Sequence, residues 1–196
     1  YSDKIGNKQL NYLNIPGSHD SGTSTISVKS DIAPDMYKTH PELEGRLEKS
    51  MLGYIPKLIA SKWSRTQSWD LVTQLQKGVR YFDLRIAPKD SDSVLKFHTC
   101  HGFYDSEVMP LLTAIVDLIR ENPKEVIILD FNHFFQMSRQ NHQALTTILR
   151  NTFGDLLAPK TIKPTIVLSE LWKTPHRVIS IYHDDDSQST YQSKCW

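Results

Sequence analysis

Residues 126–131 read "VIILDF", a run that is apolar almost throughout and turns polar only towards its end. Strict alternation would mark a strand with one wet face, whereas continuous apolarity marks a parallel strand covered on both sides. The flanks agree. In "SEVMPLLTAIVDLIRENP" (106–123), Val108, Leu111, Leu112, Ile115, Leu118 and Ile119 share one helical face,. Ser106 reads as the N-cap, and Asn122-Pro123 stops the helix. Downstream, Leu145, Ile148, Leu149 and Phe153 mark a second amphipathic helix ended by Gly154, followed by a further buried strand, "RVISIY" (177–182). Upstream, Trp69, Leu71, Val72 and Leu75 predict a helix closed by Gly78, which leads into "VRYFDLRI" (79–86). Strands alternating with helices predict an α/β fold with a parallel sheet.

Two segments fall outside this alternation. Residues 23–62 form a long polar connection holding Pro34, Pro41 and Pro56, with helical pattern only over roughly 49–61. A connection this long reads as a functional lid or a flexible insertion. The tail from Asp184 to Lys194 is polar and reads as loop; three consecutive carboxylates there, Asp184–Asp186, read as solvated rather than metal-binding.

The chain of 196 residues is the size of one domain, with 39% hydrophobic and 23% charged residues,. A net charge of +1 and the absence of a basic arm give no reason to expect a nucleic-acid partner,. No apolar run approaches the roughly 20 residues of a membrane span. The first residue is Tyr1, which suggests a fragment or a processed chain,. Cys100 and Cys195 form no C-x-x-C pair, so they read as free thiols in a reducing, cytoplasmic setting, with a disulfide as the alternative,.

The chemistry gathers at strand ends. In "VRYFDLRI", a period of two puts Phe82, Leu84 and Ile86 on one face and Tyr81, Asp83 and Arg85 on the other,. "GSHDSG" (17–22) sets His19 beside Asp20 in a glycine- and serine-rich turn, and "FHTCHGFY" (97–104) sets His98 and His101 beside Gly102. In "DFNHFF" (130–135), Asp130 and Asn132 share a face while His133 points away as a packing residue. The carboxyl ends of parallel strands carry the site in such folds. Two histidines suit a general base and a general acid, and a guanidinium suits a phosphoryl oxygen. That set points to phosphodiester cleavage. No G-x-S-x-G elbow, P-loop or H-E-x-x-H motif is present,.

"NIPGSHDSGT", "QLQKGVRYFDLRI", the His101-Gly102 pair and "NPKEVIILDFNHFF" resemble the X domain of phosphatidylinositol-specific phospholipase C, most closely the X-domain-only proteins of animals. The likeness runs from about residue 10 to 183, and it implies a TIM-barrel-type fold that is distorted or incomplete. A whole barrel takes about 250 residues, so residues 1–196 are expected to be an X domain truncated at its C-terminus. The resemblance implies a phosphatidylinositol-type substrate at a membrane surface, no cofactor and no metal. By position, His19 resembles the general base, His101 the general acid, and Asp20 the carboxylate that orients His101. Arg85 would stabilise phosphoryl charge and Asp83 would hold Arg85 and the nucleophile. Asn132 stands where bacterial relatives carry lysine and calcium-dependent ones glutamate. His183 is placed either to touch inositol or to sit solvated in a loop. Calcium-dependent members have a carboxylate where this chain has Arg85, so the guanidinium is expected to stand in for the ion. The competing readings are a barrel that binds phosphoinositides without turnover, and a phosphodiesterase acting on another glycerophospholipid.

Overall fold

A computed structural model of the chain describes residues 2–39, 41, 54–91 and 94–183. Its centre is the strand β2 (Tyr81–Ser91), flanked on one side by β1 (Gly17–Ser18) and then β3 (Val94–Cys100), and on the other by β5 (Ile127–Phe134). β4 (Tyr104–Glu107) pairs with β3, and β6 (Val178–Tyr182) pairs with β5, to give one six-stranded sheet.

β1, β2, β5 and β6 run parallel in chain order, as the alternation of elements predicts. β3 and β4 do not: each pairs antiparallel with its predecessor, so the sheet is mixed. The sequence cue missed here is the short polar connection at 92–93, too short for the crossover that parallel neighbours require,. The described strands do not close on themselves.

The predicted alternation in β2 holds. Phe82, Leu84 and Ile86 are fully buried and, with Ile127, Leu129 and Phe131 of β5, face a layer of helices. That layer comprises α4 (Leu71–Gln76), α5 (Met109–Glu121) and α6 (Arg139–Phe153), which contribute Leu75, Leu111, Leu112, Ile115, Leu145 and Leu149. α4 starts later than the sequence suggests: Asp70 is its N-cap, accepting from Thr73 N–H at 2.8 Å, and Trp69 stays outside, half exposed. α5 is capped at Val108, because Ser106 belongs to β4 instead. Gly154 closes α6 with φ +50°, a conformation that suits glycine,.

The opposite face of the sheet has its own, smaller core. Ile179 packs with Leu10, Ala158, Leu168 and Leu171, and Ile128 and Ile181 lie against them. The N-terminal segment reaches this face by backbone bonds from Leu10 to Ile166 and from Leu168 to Lys8, each 2.9 Å. Arg177, buried just before β6, donates from its guanidinium to the carbonyls of Pro123, Leu171, Trp172, Thr174 and His176 and so locks this end together.

Of the connection read over 23–62, residues 40 and 42–53 lie outside the described residues, and the helical pattern read over roughly 49–61 is met from Tyr54 onward. Its described part includes α2 (Pro34–Thr39) and most of α3 (Tyr54–Ser64), and its first stretch grips the β3–β4 turn: Tyr104 N–H donates to Asp31 O at 2.9 Å, Ala33 N–H to Gly102 O at 3.0 Å, and Thr25 N–H to the Asp105 carboxylate at 3.2 Å. Asp184–Asp186, the polar tail and Cys195 lie outside the described residues. Cys100 is a buried free thiol whose pKa is pushed up by burial, so it is a packing group rather than a nucleophile,.

Candidate active site

The site begins where β1 ends. The turn after Ser18 places His19 on the surface and returns Asp20 to the interior. Asp20 adopts φ +46°, a left-handed conformation that aspartate tolerates better than most residues,. Backbone bonds fix the turn on β2: Asp20 N–H donates to Asp83 Oδ2 at 3.0 Å and Ser21 N–H to Asp83 O at 2.9 Å. Gln74 of α4 donates to Ser21 O at 2.7 Å, and Gln67 donates to His19 O at 2.7 Å. Gly22 is obligatory, since a Cβ there would fall inside the van der Waals shell of Thr99,.

β2 supplies Asp83 and Arg85 from its non-core face. Arg85 Nε forms a close ion pair with Asp20 Oδ1, and its Nη2 lies 3.1 Å from His19 Nε2. Asp83 Oδ2 is 3.7 Å from His19 Nε2. His101 arrives from the antiparallel strand β3, not from a parallel strand end as the sequence pattern suggests. Its Nδ1 is 3.0 Å from Ser64 O, and its Nε2 is 3.7 Å from Asp20 Oδ2. The same oxygen lies 3.4 Å from His19 Nδ1. Asp20 is therefore shared between both imidazoles and Arg85, where the sequence assigns it to His101 alone.

These partners set the tautomers. A guanidinium only donates, so His19 Nε2 accepts from Arg85 and its ring proton resides on Nδ1,. A carbonyl only accepts, so His101 carries its fixed proton on Nδ1 against Ser64 O,. In both rings Nε2 is then the nitrogen without the fixed proton,.

β5 adds a second tier. The register shifts between Leu84 and Arg85, so that Arg85 aligns with His133 rather than Asn132. This bulge brings His133 onto the Arg85 side, exposed and against the Phe135 ring, and it is not the packing residue that simple alternation predicts,. Asn132 Nδ2 reaches Asp83 Oδ1 at a long 3.4 Å. Asp130, a residue outside the predicted set, accepts from Tyr81 OH in a close hydrogen bond and meets His183 Nε2 at 3.0 Å. Burial and the Asp130 carboxylate push the Tyr81 phenol well above its ordinary pKa. His183 is exposed, yet it is tied to Asp130 rather than simply solvated. His98 stays in the β3–β4 hairpin, 3.0 Å from Asp105 O, away from this cluster.

His19, Asp20 and Asp83 offer ligand atoms within 4.8 Å of one another, close enough for a small cation. The charge argues otherwise. Arg85 already lies on two of the three donors, and a divalent ion there would face a fixed positive charge a few ångströms away,. The donor set does not fit a resident metal.

Four parallel strands in chain order, helices on one face and the polar cluster on the other define an open α/β half of the TIM-barrel type, with its site on the rim,. Residues 57–183 match the family defined as "Phosphatidylinositol-specific phospholipase C, X domain", and the chain belongs to that family. It is 33% identical over 182 residues to PI-PLC X domain-containing protein 3 of Danio rerio, covering 93% of this chain and 55% of that protein. It is 37% identical over 179 residues to PI-PLC X domain-containing protein 1 of Homo sapiens, covering 91% of this chain and 53% of that protein. The chain thus spans about half the length of these relatives. Among solved structures it resembles a phosphatidylinositol-specific phospholipase C of S. aureus, with a TM-score of 0.58 and 20% identity over 93% of this chain and 51% of that one. The Listeria monocytogenes enzyme of the same name gives a TM-score of 0.54 at 20% identity, over 92% and 54% of the two chains. These likenesses establish the fold.

Proposed function

We propose that the protein cleaves phosphatidylinositol at its phosphodiester, as a metal-independent phosphoric diester hydrolase. The observation that carries this reading is the convergence of His19 and His101 within 4 Å of one oxygen, Asp20 Oδ2, with Arg85 alongside. In the proposed reaction, His19 Nε2 takes the proton of the inositol 2-hydroxyl as its oxygen bonds to phosphorus. The bond from phosphorus to the glycerol oxygen breaks, and His101 Nε2 delivers a proton to that oxygen. Diacylglycerol and an inositol cyclic phosphate result. Arg85 neutralises the growing charge on the phosphoryl oxygens, and such fixed electrostatic stabilisation commonly supplies a large share of the rate. Asp20 holds Arg85 in place, and Asp83, which accepts the Asp20 N–H and lies 3.7 Å from His19 Nε2, steadies the base. Asn132, on β5, and His183, just after β6, are assigned to the headgroup.

A lipid substrate requires the site to meet a membrane. No described helix is long and apolar enough to cross one. What supports surface docking is α3, where Ile55, Ile59 and Trp63 recur every four residues and are 67%, 50% and 83% exposed. The helix carries Lys57 and Lys62 and no acidic residue, which suits an anionic lipid interface,. Its last residue, Ser64, is the one that accepts from His101.

Phosphorus NMR on the full-length protein with phosphatidylinositol vesicles tests the reading. A cyclic inositol phosphate resonance is expected. Vesicle binding without turnover would instead support a phosphoinositide-binding barrel, and turnover of other glycerophospholipids alone would reassign the substrate.

A further inference from the structure

Within the connection that braces the β3–β4 turn, one group has no part in the chemistry above. Asp35, in the first turn of α2, is a buried carboxylate, and burial raises its pKa. Its Oδ2 accepts the backbone N–H of Gly102 at 2.5 Å. That N–H belongs to the peptide bond joining His101 to Gly102, so gripping it fixes the backbone rotation that aims the His101 side chain. The next peptide is held as well, with Ala33 N–H donating to Gly102 O at 3.0 Å. Gly102 itself has φ +71°, and a Cβ there would meet Met36 Cε at 2.7 Å and Ser64 Oγ at 3.0 Å. The turn is thus pressed between α2 and the end of α3, while Ser64 O fixes the far side of the imidazole at 3.0 Å. A carboxylate is a costly group to bury, and it gives a shorter, stronger hydrogen bond than a neutral acceptor.

We propose that Asp35 is a positioning residue for His101: it holds the 101–102 peptide so that Nε2 of the imidazole points at the leaving-group oxygen. The proposal rests on the assignment of His101 as general acid. A small displacement of such a group costs about 10²-fold in rate.

The test uses Asp35→Ala and Asp35→Asn in the full-length protein with two substrates. One is phosphatidylinositol, whose alkoxide must be protonated as it leaves. The other is an inositol aryl phosphodiester, whose phenolate leaves without help. Asp35→Ala should lower kcat on phosphatidylinositol by about 10²-fold with KM little changed, and should hardly affect the aryl substrate. Asparagine keeps an oxygen for the Gly102 N–H, so Asp35→Asn should recover most of the rate. Equal losses on both substrates, or none, would overturn the proposal. Should Asp35→Ala fail to fold, Asp35→Glu carries the same test, since one added methylene displaces the turn while keeping the acceptor.

A second readout is independent of turnover, so a failed function assignment and a failed positioning role remain distinguishable. In NMR, Asp35→Ala should speed exchange of the Gly102 amide and of the His101 Nδ1 proton, with the His98 signals unmoved. Unchanged exchange at both would overturn the proposal whatever the activity.

Discussion

Arg85 Nη2 and His19 Nε2 face each other across 3.1 Å, nitrogen to nitrogen. Because the guanidinium has no lone pair to offer, this contact requires an unprotonated Nε2, and it places a phosphate-attracting cation directly beside the basic site. Asp20 closes the arrangement by pairing with Arg85 Nε and lying 3.4 Å from His19 Nδ1. Under the proposed reaction, substrate phosphate drawn to Arg85 would arrive next to the atom that takes the proton.

The two imidazoles should be separable by leaving group. His19→Ala and His101→Ala are each expected to lower turnover of phosphatidylinositol by ~10²–10⁴-fold, the range typical of general catalysis. An aryl leaving group should restore the His101 variant and leave the His19 variant impaired. Steady-state rates on the two substrates check this, and equal rescue of both variants would reverse the assignment.

Arg85 should make the reaction independent of divalent ions. Activity is expected to persist in excess chelator, and loss in chelator with recovery on adding calcium would refute the substitution of arginine for the ion. Arg85→Lys should fall by about 10²-fold or more, because lysine keeps the charge but cannot contact Asp20 and His19 through one planar fork,.

Asp35 sets a pH dependence of stability. Burial raises its folded pKa above the unfolded value, opposed in part by the Gly102 N–H and by His101. Its contribution is therefore fully present below the ordinary aspartate pKa of about 4 and is lost as pH rises through the folded value. Asp35→Asn removes the cost of burying the ionised form, so it should raise Tm at pH 7, with the gain shrinking to nothing as pH falls below about 4. Melting curves across pH 3–8 measure this, and a gain that grew towards acid would show the sign to be wrong.

Gly22 tests the packing behind the histidine turn. Gly22→Ala drives a methyl into Thr99, whose hydroxyl is held on Ser106 O at 3.2 Å. A loss of ~1–3 kcal/mol is expected from such overpacking. Adding Thr99→Gly should return part of the Gly22→Ala loss, a coupling that a double-mutant cycle in denaturant measures. Strict additivity would show that the two positions do not meet.

Much of this was legible in the chain because the relevant signals are local. The period of two in "VRYFDLRI" assigns Phe82, Leu84 and Ile86 to the core and Asp83 and Arg85 to the other face, and the structure agrees. The helical stripes of α5 and α6 were equally plain, as was their termination at Asn122 and Gly154. What escaped depends on pairing between distant segments. The β5 bulge that turns His133 outwards is a mismatch with β2, and nothing in "DFNHFF" alone announces it. Residues 23–62 read as lid or insertion because the connection is long and polar,. Among the described residues, Asp31, Ala33 and Asp35 of this stretch bond to Gly102 and Tyr104, contacts that leave almost no mark on composition. His101 was found by its glycine turn, while the direction of β3 was not.

β2 also constrains what kinds of change the gene can absorb. Its core and site residues alternate one by one between Tyr81 and Ile86, so a single codon lost or gained there would exchange the two faces at once,. Asp83 and Arg85 would be driven among Leu111, Ile115 and Leu145, and Phe82 and Leu84 would point to the rim. Substitutions in this segment can be graded and repaired individually, but changes of length cannot. The β2–β3 hairpin connection at 92–93 lies beyond the last site residue, and insertions there leave the spacing from His19 to Arg85 untouched. Length polymorphism among descendants of this chain should therefore collect in that hairpin and be excluded from the six residues that begin the strand.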